Sequence, residues 1–478
     1  MFTKHLEKLA QQYPDRPAVV HGETRLNYQE LCRSIQALAG RLHIAGVGEG
    51  NFVCILLPNG IDFVISFFAI AAVRGIAIPM DPGLTTQELH RYLEGLTLAV
   101  VISDRDTRAQ FPSSCITIHV DTPAESQPLS FYATYEGPVL CQFSSGSTGL
   151  PKQIIRTQHH LLQEYKQLSA AIKLYDNDAV AVIIPLYHAH GFGNAMLLSI
   201  CHGLSLIIPK PPKGEDGREL PLRFWRKEFL ALLADERVTI LPAVPFIFGL
   251  LAQAPDLPEE LCLRLCISAG SPIDEDTYRQ FRERFGITVR QLYGCTEAGS
   301  VTINTDEDVD MSWQSVGKPL PGVELRLEGE ENVVAFRSGA MADGYHGQSR
   351  QSNEAFNAGW FRPGDIGRFD DNGNLYIIGR HRPFIVCGGF KIDPVEVELV
   401  LCKHPQVAEA IVFGVPHPAV GEMIKAVVVP RACTTLDRNE LVELCNTQLA
   451  SYKQPRLLEI RDSLPRSPLG KVLIKQLV

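Results

Sequence analysis

The chain has no Cys-x-x-Cys pair, although twelve cysteines are spread over its 478 residues. The cysteines fall at no metal-ligand spacing, which speaks against a zinc or disulfide role. The closest two, Cys262 and Cys266, sit in the apolar stretch Leu261–Ile267 and read as buried thiols. Also missing is an apolar run of the ~20 residues that a membrane span needs. The longest, Phe63–Val73, is closed by Arg74. Positive charge is not in surplus: Lys and Arg number 45 against 54 Asp and Glu, for a net charge of −9. With no basic patch interleaved with aromatics, this argues against a nucleic-acid partner. The opening Met1–Lys8 reads as an amphipathic polar helix and not as a secretory signal. There are no repeats or low-complexity segments, and Pro209–Gly217 is a Pro/Lys/Gly-rich surface loop. What remains is a reduced, cytoplasmic protein whose 45% hydrophobic and 21% charged residues suit a large globular core.

The length predicts two to four domains. Continuous apolar runs at Phe52–Leu57, Ile76–Pro79, Ala99–Ile102, Ala179–Ile184, Ser205–Ile208, Thr239–Leu241 and Leu263–Ile267 alternate with helical segments. Three of those helices are expected near 28–43, 60–74 and 86–94. Such runs predict parallel sheets covered on both faces. After about residue 310 the runs shorten and alternate, as in Val323–Leu327 and Leu375–Ile378, which predicts a small β-rich subdomain. Residues 381–478 carry their own α+β pattern: helix Pro394–Leu401, strands Val407–Phe413 and Met423–Val429, and a helix over Asp437–Leu449. The expected fold is α/β. A large N-terminal domain (1–380) of mixed and parallel sheets flanked by helices, with the small β subdomain, precedes a small mobile α+β C-terminal domain (381–478).

The densest chemistry lies at Ser144-Ser145-Gly146-Ser147-Thr148-Gly149-Leu150-Pro151-Lys152, directly after the strand-like run Pro138–Phe143. Gly146 and Gly149 allow positive φ, which turns successive N–H groups toward one point. Four hydroxyls add donors and Lys152 adds a charge, so the loop suits a polyphosphate. The spacing is not that of the common nucleotide-triphosphatase loop. Three further segments bear on it. Tyr293-Gly294-Cys295-Thr296-Glu297 follows a strand-like run and offers a carboxylate suited to Mg²⁺ and a hydroxyl suited to phosphate. Gly364-Asp365, with Gly379-Arg380 beyond it, offers a carboxylate for ribose hydroxyls and a cation for the same nucleotide. Pro465–Val472 holds Lys471 after a Pro/Gly-stiffened loop.

Together with Cys387-Gly388-Gly389-Phe390-Lys391-Ile392, these segments stand in the order and spacing of one family, over nearly the whole chain. The sequence resembles the adenylate-forming superfamily of acyl- and aryl-CoA ligases, freestanding adenylation enzymes and luciferases. The resemblance implies attack of a carboxylate on the α-phosphorus of ATP, release of pyrophosphate, and transfer of the acyl group to a thiol. It implies ATP and Mg²⁺ as cofactors. Lys471 would lie between the carboxylate and the α-phosphate. Thr148 and Lys152, with Ser144, Ser145, Gly146, Ser147 and Gly149, would hold the β- and γ-phosphates. Glu297 would bind the metal beside Thr296, while Tyr293, Asp365 and Arg380 would hold the nucleoside. A hinge at Arg382 would swing the C-terminal domain and bring Gly388-Gly389 to the thiol tunnel. The chain departs from the family's pattern at Arg382, commonly acidic or lysine, at Gln153, commonly glycine, and at Ile474, frequently arginine.

The same resemblance implies a substrate pocket from Ala189, His190, Phe192, Phe246, Ala269, Gly270 and Gly294, with His188 beside the carboxylate and the thiol. Relatives that take α-amino acids carry an aspartate where Ala189 stands. Without it, burying an unpaired ammonium would cost several kcal/mol. A neutral aliphatic or aromatic acid is therefore expected. The chain closes seven residues after Lys471 and has no Gly-Gly-x-Ser phosphopantetheine site. The acceptor is accordingly expected to be coenzyme A or a separate carrier protein. The alternatives are an amine-bearing acid loaded onto a peptide-synthetase carrier, and a non-catalytic adenylate-binding protein. Nothing in the residues speaks for a luciferase.

Overall fold

In the computed structural model, residues 2–477 are described apart from 106, 108–109, 112–114, 121–134, 145–150, 216, 218, 307–311, 349–351, 353, 381–383, 432–433, 435 and 466–473. The apolar runs form two sheets whose centres are parallel. One holds Val289–Cys295, Leu265–Ser268, Ile240–Ala243, Ala179–Ala181, Ser205–Ile208 and Pro17–His21 side by side, all parallel. Antiparallel strands Gly299–Ile303 and Thr24–Asn27 flank them. The other sheet orders Ile116–His119, Leu98–Ser103, Phe52–Leu56, Ile76–Pro79, Pro138–Ser144 and Lys152–Thr157, with parallel pairing through the first five.

Strands buried on both faces need apolar cover on both faces. Helix Ile61–Ala72 supplies part of it, with nine of its twelve residues buried. Its Phe67 ring meets Phe2, Phe68 and Phe192 edge to face at 6.1, 5.1 and 4.7 Å. Helix Tyr28–Ile44 starts on a capping box in which Asn27 and Glu30 bond each other's backbone N–H.

The strands between 323 and 380 form an all-antiparallel sheet. In it Val323–Glu328 and Asp365–Phe369 both pair with Val333–Ser338, and Asp365–Phe369 also pairs with Leu375–Arg380. The expected helices and strands are present with shifted ends. Ala179–Ala181 stops three residues short of the predicted Ile184, and Ile240–Ala243 and Leu265–Ser268 begin and end later than expected. The hairpin of Val407–His417 with Gly421–Pro430 is longer than expected, because pairing continues to the turn.

The chain divides into two compact units. One comprises residues 1–82, 96–142 and 153–380. The other comprises 83–95, 143–152 and 381–478. In the second unit, Gly388 (φ 57°) and Gly389 (φ 88°) form the two-residue turn between Ile385–Cys387 and Phe390–Ile392. Positive φ at both central positions is the turn that matches strand twist, and glycine adopts it without strain.

Candidate active site

Parallel strands all end at the same edge, and in open α/β sheets ligands bind beyond that edge. Ala243, Ser268 and Gln291 are cross-strand partners on three adjacent strands. The segments that follow them therefore emerge together: Phe246 after the first, Ala269-Gly270 after the second, Tyr293-Gly294 after the third. The Nε2–H of His190 donates to the Ala243 carbonyl at 2.9 Å, which brings the Ala189–Phe192 segment to this edge. Thr296-Glu297 lies in the turn joining Val289–Cys295 to the antiparallel Gly299–Ile303, and not at a helix start.

Tyr293 Oη donates to Asp365 Oδ2 at 2.6 Å, and Asp365 is only 8% exposed. Asp365 and Arg380 are direct cross-strand partners. The pair read 15 residues apart in sequence is thus adjacent on the sheet, although the side chain of Arg380 lies outside the described residues. Glu297 is 6% exposed and accepts from Tyr345 Oη at 3.1 Å, while its carbonyl accepts from the Ala342 N–H at 2.7 Å. Cys295 lies between them; burial, reinforced by the charges of Glu297 and Asp365, pushes its thiol far above its ordinary range.

The segment expected to line the pocket is braced by polar side chains, of which Gln142 is buried. Asn59 donates to the Ile184 carbonyl at 2.9 Å and accepts from the Leu186 N–H at 2.8 Å. Gln142 donates to the Tyr187 carbonyl at 3.1 Å. The Tyr187 phenol is driven far above its usual range by burial and by its hydrogen bond to Asp81. His188 is exposed, its ring 4.8 Å from that of Tyr187.

The helix after His188 widens into π-type turns over Phe192–Leu197, a distortion frequent at functional sites. There the chain Ser300 Oγ–H to Asn194 Oδ1 (2.7 Å) and Asn194 Nδ2–H to His190 Nδ1 (2.8 Å) fixes the histidine's tautomer. Burial pushes the His190 imidazole down to about 4, so it is neutral at pH 7. Phe192 is fully buried and packs into the core against Phe67, so its ring belongs to the support of the pocket. Beneath lies the buried ion pair Arg156–Glu164 at 2.8 Å. A Cβ at Gly193 or at Gly299 (φ 69°) would displace the Glu164 carboxylate and with it the ion pair to Arg156.

Of the phosphate loop, Ser144 ends its strand and Lys152 begins the next. Ser145, Gly146, Ser147, Thr148 and Gly149 lie outside the described residues, as do Arg382 and Lys471. Sequence reading missed Asn59, Gln142, Asn194, Ser300, Arg156, Glu164 and Tyr345. The available signal was a polar residue inside an apolar run, such as Gln142 in Pro138–Phe143 or Asn194 in Phe192–Leu198.

A model of the AMP-binding enzyme family matches residues 6–345, and a model of the AMP-binding enzyme C-terminal domain matches residues 396–471. The chain belongs to the AMP-binding enzyme family. It is 30% identical to a probable CoA ligase, CCL9, of Humulus lupulus, over 98% of this chain and 94% of that protein. It is 29% identical to the oxalate–CoA ligase of Arabidopsis thaliana, over 98% and 96%. A double mutant of the o-succinylbenzoate CoA synthetase of Bacillus subtilis, solved with a product analogue, superposes with a TM-score of 0.88 at 26% identity. That match covers 99% of this chain and 98% of that one. This chain is an AMP-forming acid–thiol ligase, activating a carboxylic acid with ATP before transfer to a thiol. Among the described residues no helix is long and apolar enough to cross a membrane.

Proposed function

We propose that this ligase activates a neutral aliphatic or aromatic acid and passes the acyl group to coenzyme A. The observation that carries this is the sheet edge where Tyr293, Asp365 and Glu297 come together, with Ala189 and a neutral His190 on the neighbouring segment. Ala189 offers no carboxylate for a substrate ammonium. His190 offers no cation for a second carboxylate, because it is neutral and both ring nitrogens are bonded within the protein. The names of the relatives support coenzyme A as acceptor.

In this reading Asp365 and Arg380 hold the ribose, with Tyr293 orienting Asp365. Ser144 and Lys152, with Ser145, Gly146, Ser147, Thr148 and Gly149, hold the β- and γ-phosphates. A buried carboxylate suits Mg²⁺, which takes few carboxylates beside phosphate and water. Glu297 would be its protein ligand, next to Thr296, and the ion would neutralise phosphate charge. A substrate carboxylate oxygen then bonds to the α-phosphorus as the bond to pyrophosphate breaks, and Lys471 stabilises the charge between the two anions. The 381–478 segment then turns about Arg382, and Gly388-Gly389 line the path of the thiol. The thiolate adds at the acyl carbon beside His188, and AMP leaves. We read the setting as reduced and cytoplasmic.

Carboxylate-dependent ATP–pyrophosphate exchange over a panel of aromatic, aliphatic, dicarboxylic and amino acids tests this reading. Exchange is expected with neutral acids, followed by thioester formation with coenzyme A. Exchange confined to amino acids or diacids, or acyl transfer only to a holo carrier protein, would overturn it.

A further inference from the structure

We infer that Tyr345 is a positioning residue for the metal ligand, tying the Glu297 carboxylate to the strand that follows the phosphate loop. The inference rests on reading Glu297 as the protein ligand of Mg²⁺.

A carboxylate can only accept, so the 3.1 Å contact is a donation from the Tyr345 phenol to Glu297 Oε1. With Oε1 held, the carboxylate's rotation is set, and Oε2 is presented in one direction. The main chain repeats the grip three residues earlier, where the Ala342 N–H donates to the Glu297 carbonyl at 2.7 Å. The backbone of Tyr345 is tied to the strand that follows the loop. It forms an antiparallel bridge with Ile154, and the next N–H, of His346, donates to the Gln153 carbonyl at 2.8 Å. Gln153 is the residue after Lys152. One residue therefore links the chain leaving the phosphate loop with the carboxylate that would bind the same nucleotide's metal.

The ring itself is fixed. It is 6% exposed and packs edge to face on Phe356 at 5.3 Å, which packs on Phe361 at 4.6 Å. Hydrogen-bond partners behind a metal-binding carboxylate orient it, and losing one lowers metal affinity by about ten- to a hundredfold. A phenol that served packing alone would leave metal affinity untouched when its oxygen was removed.

The test is Tyr345→Phe in the full chain, which keeps the ring and deletes the donor. Mn²⁺ affinity is read by electron paramagnetic resonance in the presence of a non-hydrolysable ATP analogue. Metal-free AMP affinity is read by calorimetry, with the melting temperature alongside. The expected result is Mn²⁺ affinity lowered by about ten- to a hundredfold, with AMP affinity and melting temperature unchanged. Unchanged Mn²⁺ affinity in Tyr345→Phe, while Glu297→Gln lowers it, overturns the inference and leaves the reading of Glu297 standing. Parallel loss of AMP binding and melting temperature in Tyr345→Phe also overturns it, since that is a packing role. Unchanged Mn²⁺ affinity in Glu297→Gln removes Glu297 as the ligand, and the inference falls with it.

Discussion

Tyr293 and Asp365 meet through a 2.6 Å hydrogen bond between residues 72 apart in sequence. A hydrogen bond to a charged group contributes about 1.5–3 kcal/mol, so its loss should matter to nucleotide binding. Tyr293→Phe retains the ring but releases the carboxylate that we assign to the ribose. AMP affinity measured by calorimetry should fall by about tenfold, and Asp365→Ala should cost more. Equal AMP affinity in wild type and Tyr293→Phe would contradict the orienting role. His190 carries a second residue-scale prediction, this time of stability. Its folded imidazole lies at about 4, below the ordinary 6.5, because burial disfavours the cation. Between these values the unfolded chain binds the proton and the folded chain does not. Its contribution is therefore complete above pH 6.5 and is lost as pH falls toward 4. Melting temperatures from pH 8 to 4.5 should drop more steeply for wild type than for His190→Gln, which keeps a donor but cannot titrate.

The elements follow a rule that apolar runs make visible: a strand buried on both faces must be apolar throughout. That is why Ser205–Ile208 and Ile76–Pro79 are found where the sequence places them; Asn27 marks a helix start for another reason, its side chain accepting from the Glu30 N–H. The supporting polar residues are another matter. Ser300 bonds Asn194 across 106 positions and Arg156 bonds Ala340 across 184, so no local pattern announces either. The π-type turns over Phe192–Leu197 escape notice for the same reason, since they depend on partners outside the helix.

Helix Thr86–Tyr92 shows how far such remoteness extends. Glu88 completes a capping box with Thr85, and its other oxygen accepts from Lys453 at 2.9 Å. Lys453 is 4% exposed; it also reaches Glu396 at 3.1 Å, and Glu396 in turn pairs with Arg91. Burial alone would depress the Lys453 ammonium. Tyr92, Glu396 and Glu88 outweigh burial and hold it above its ordinary range. Breaking a buried pair leaves an uncompensated charge, which costs about 3–5 kcal/mol. Lys453→Met should therefore speed amide hydrogen exchange in 86–92 and 394–401, with little change at Tyr28–Ile44. Uniform exchange rates in both proteins would show that the cluster contributes nothing.

At the scale of the whole molecule, Tyr293, Glu297 and Asp365 come from segments that only the fold collects. The motifs stand out in the sequence because the chemistry we assign to them needs particular residue types: glycines for a phosphate loop, a carboxylate for a metal, a lysine between two anions. The compact unit that holds 381–478 also takes in 83–95 and 143–152, which no composition shift marks. Lys471 makes the sharpest test of the division of labour. The first half-reaction joins two anions and needs a cation between them, whereas the second starts from an acyl-adenylate in which that repulsion is gone. If the C-terminal segment turns between the two steps, Lys471 serves only the first. Removing a group that stabilises developing charge costs about a hundred- to a thousandfold. Lys471→Ala should lose that much in ATP–pyrophosphate exchange and yet form thioester from a supplied acyl-adenylate and coenzyme A at nearly the wild-type rate. Equal loss in both half-reactions would mean that one arrangement performs both steps, and the turn about Arg382 would have no function to serve.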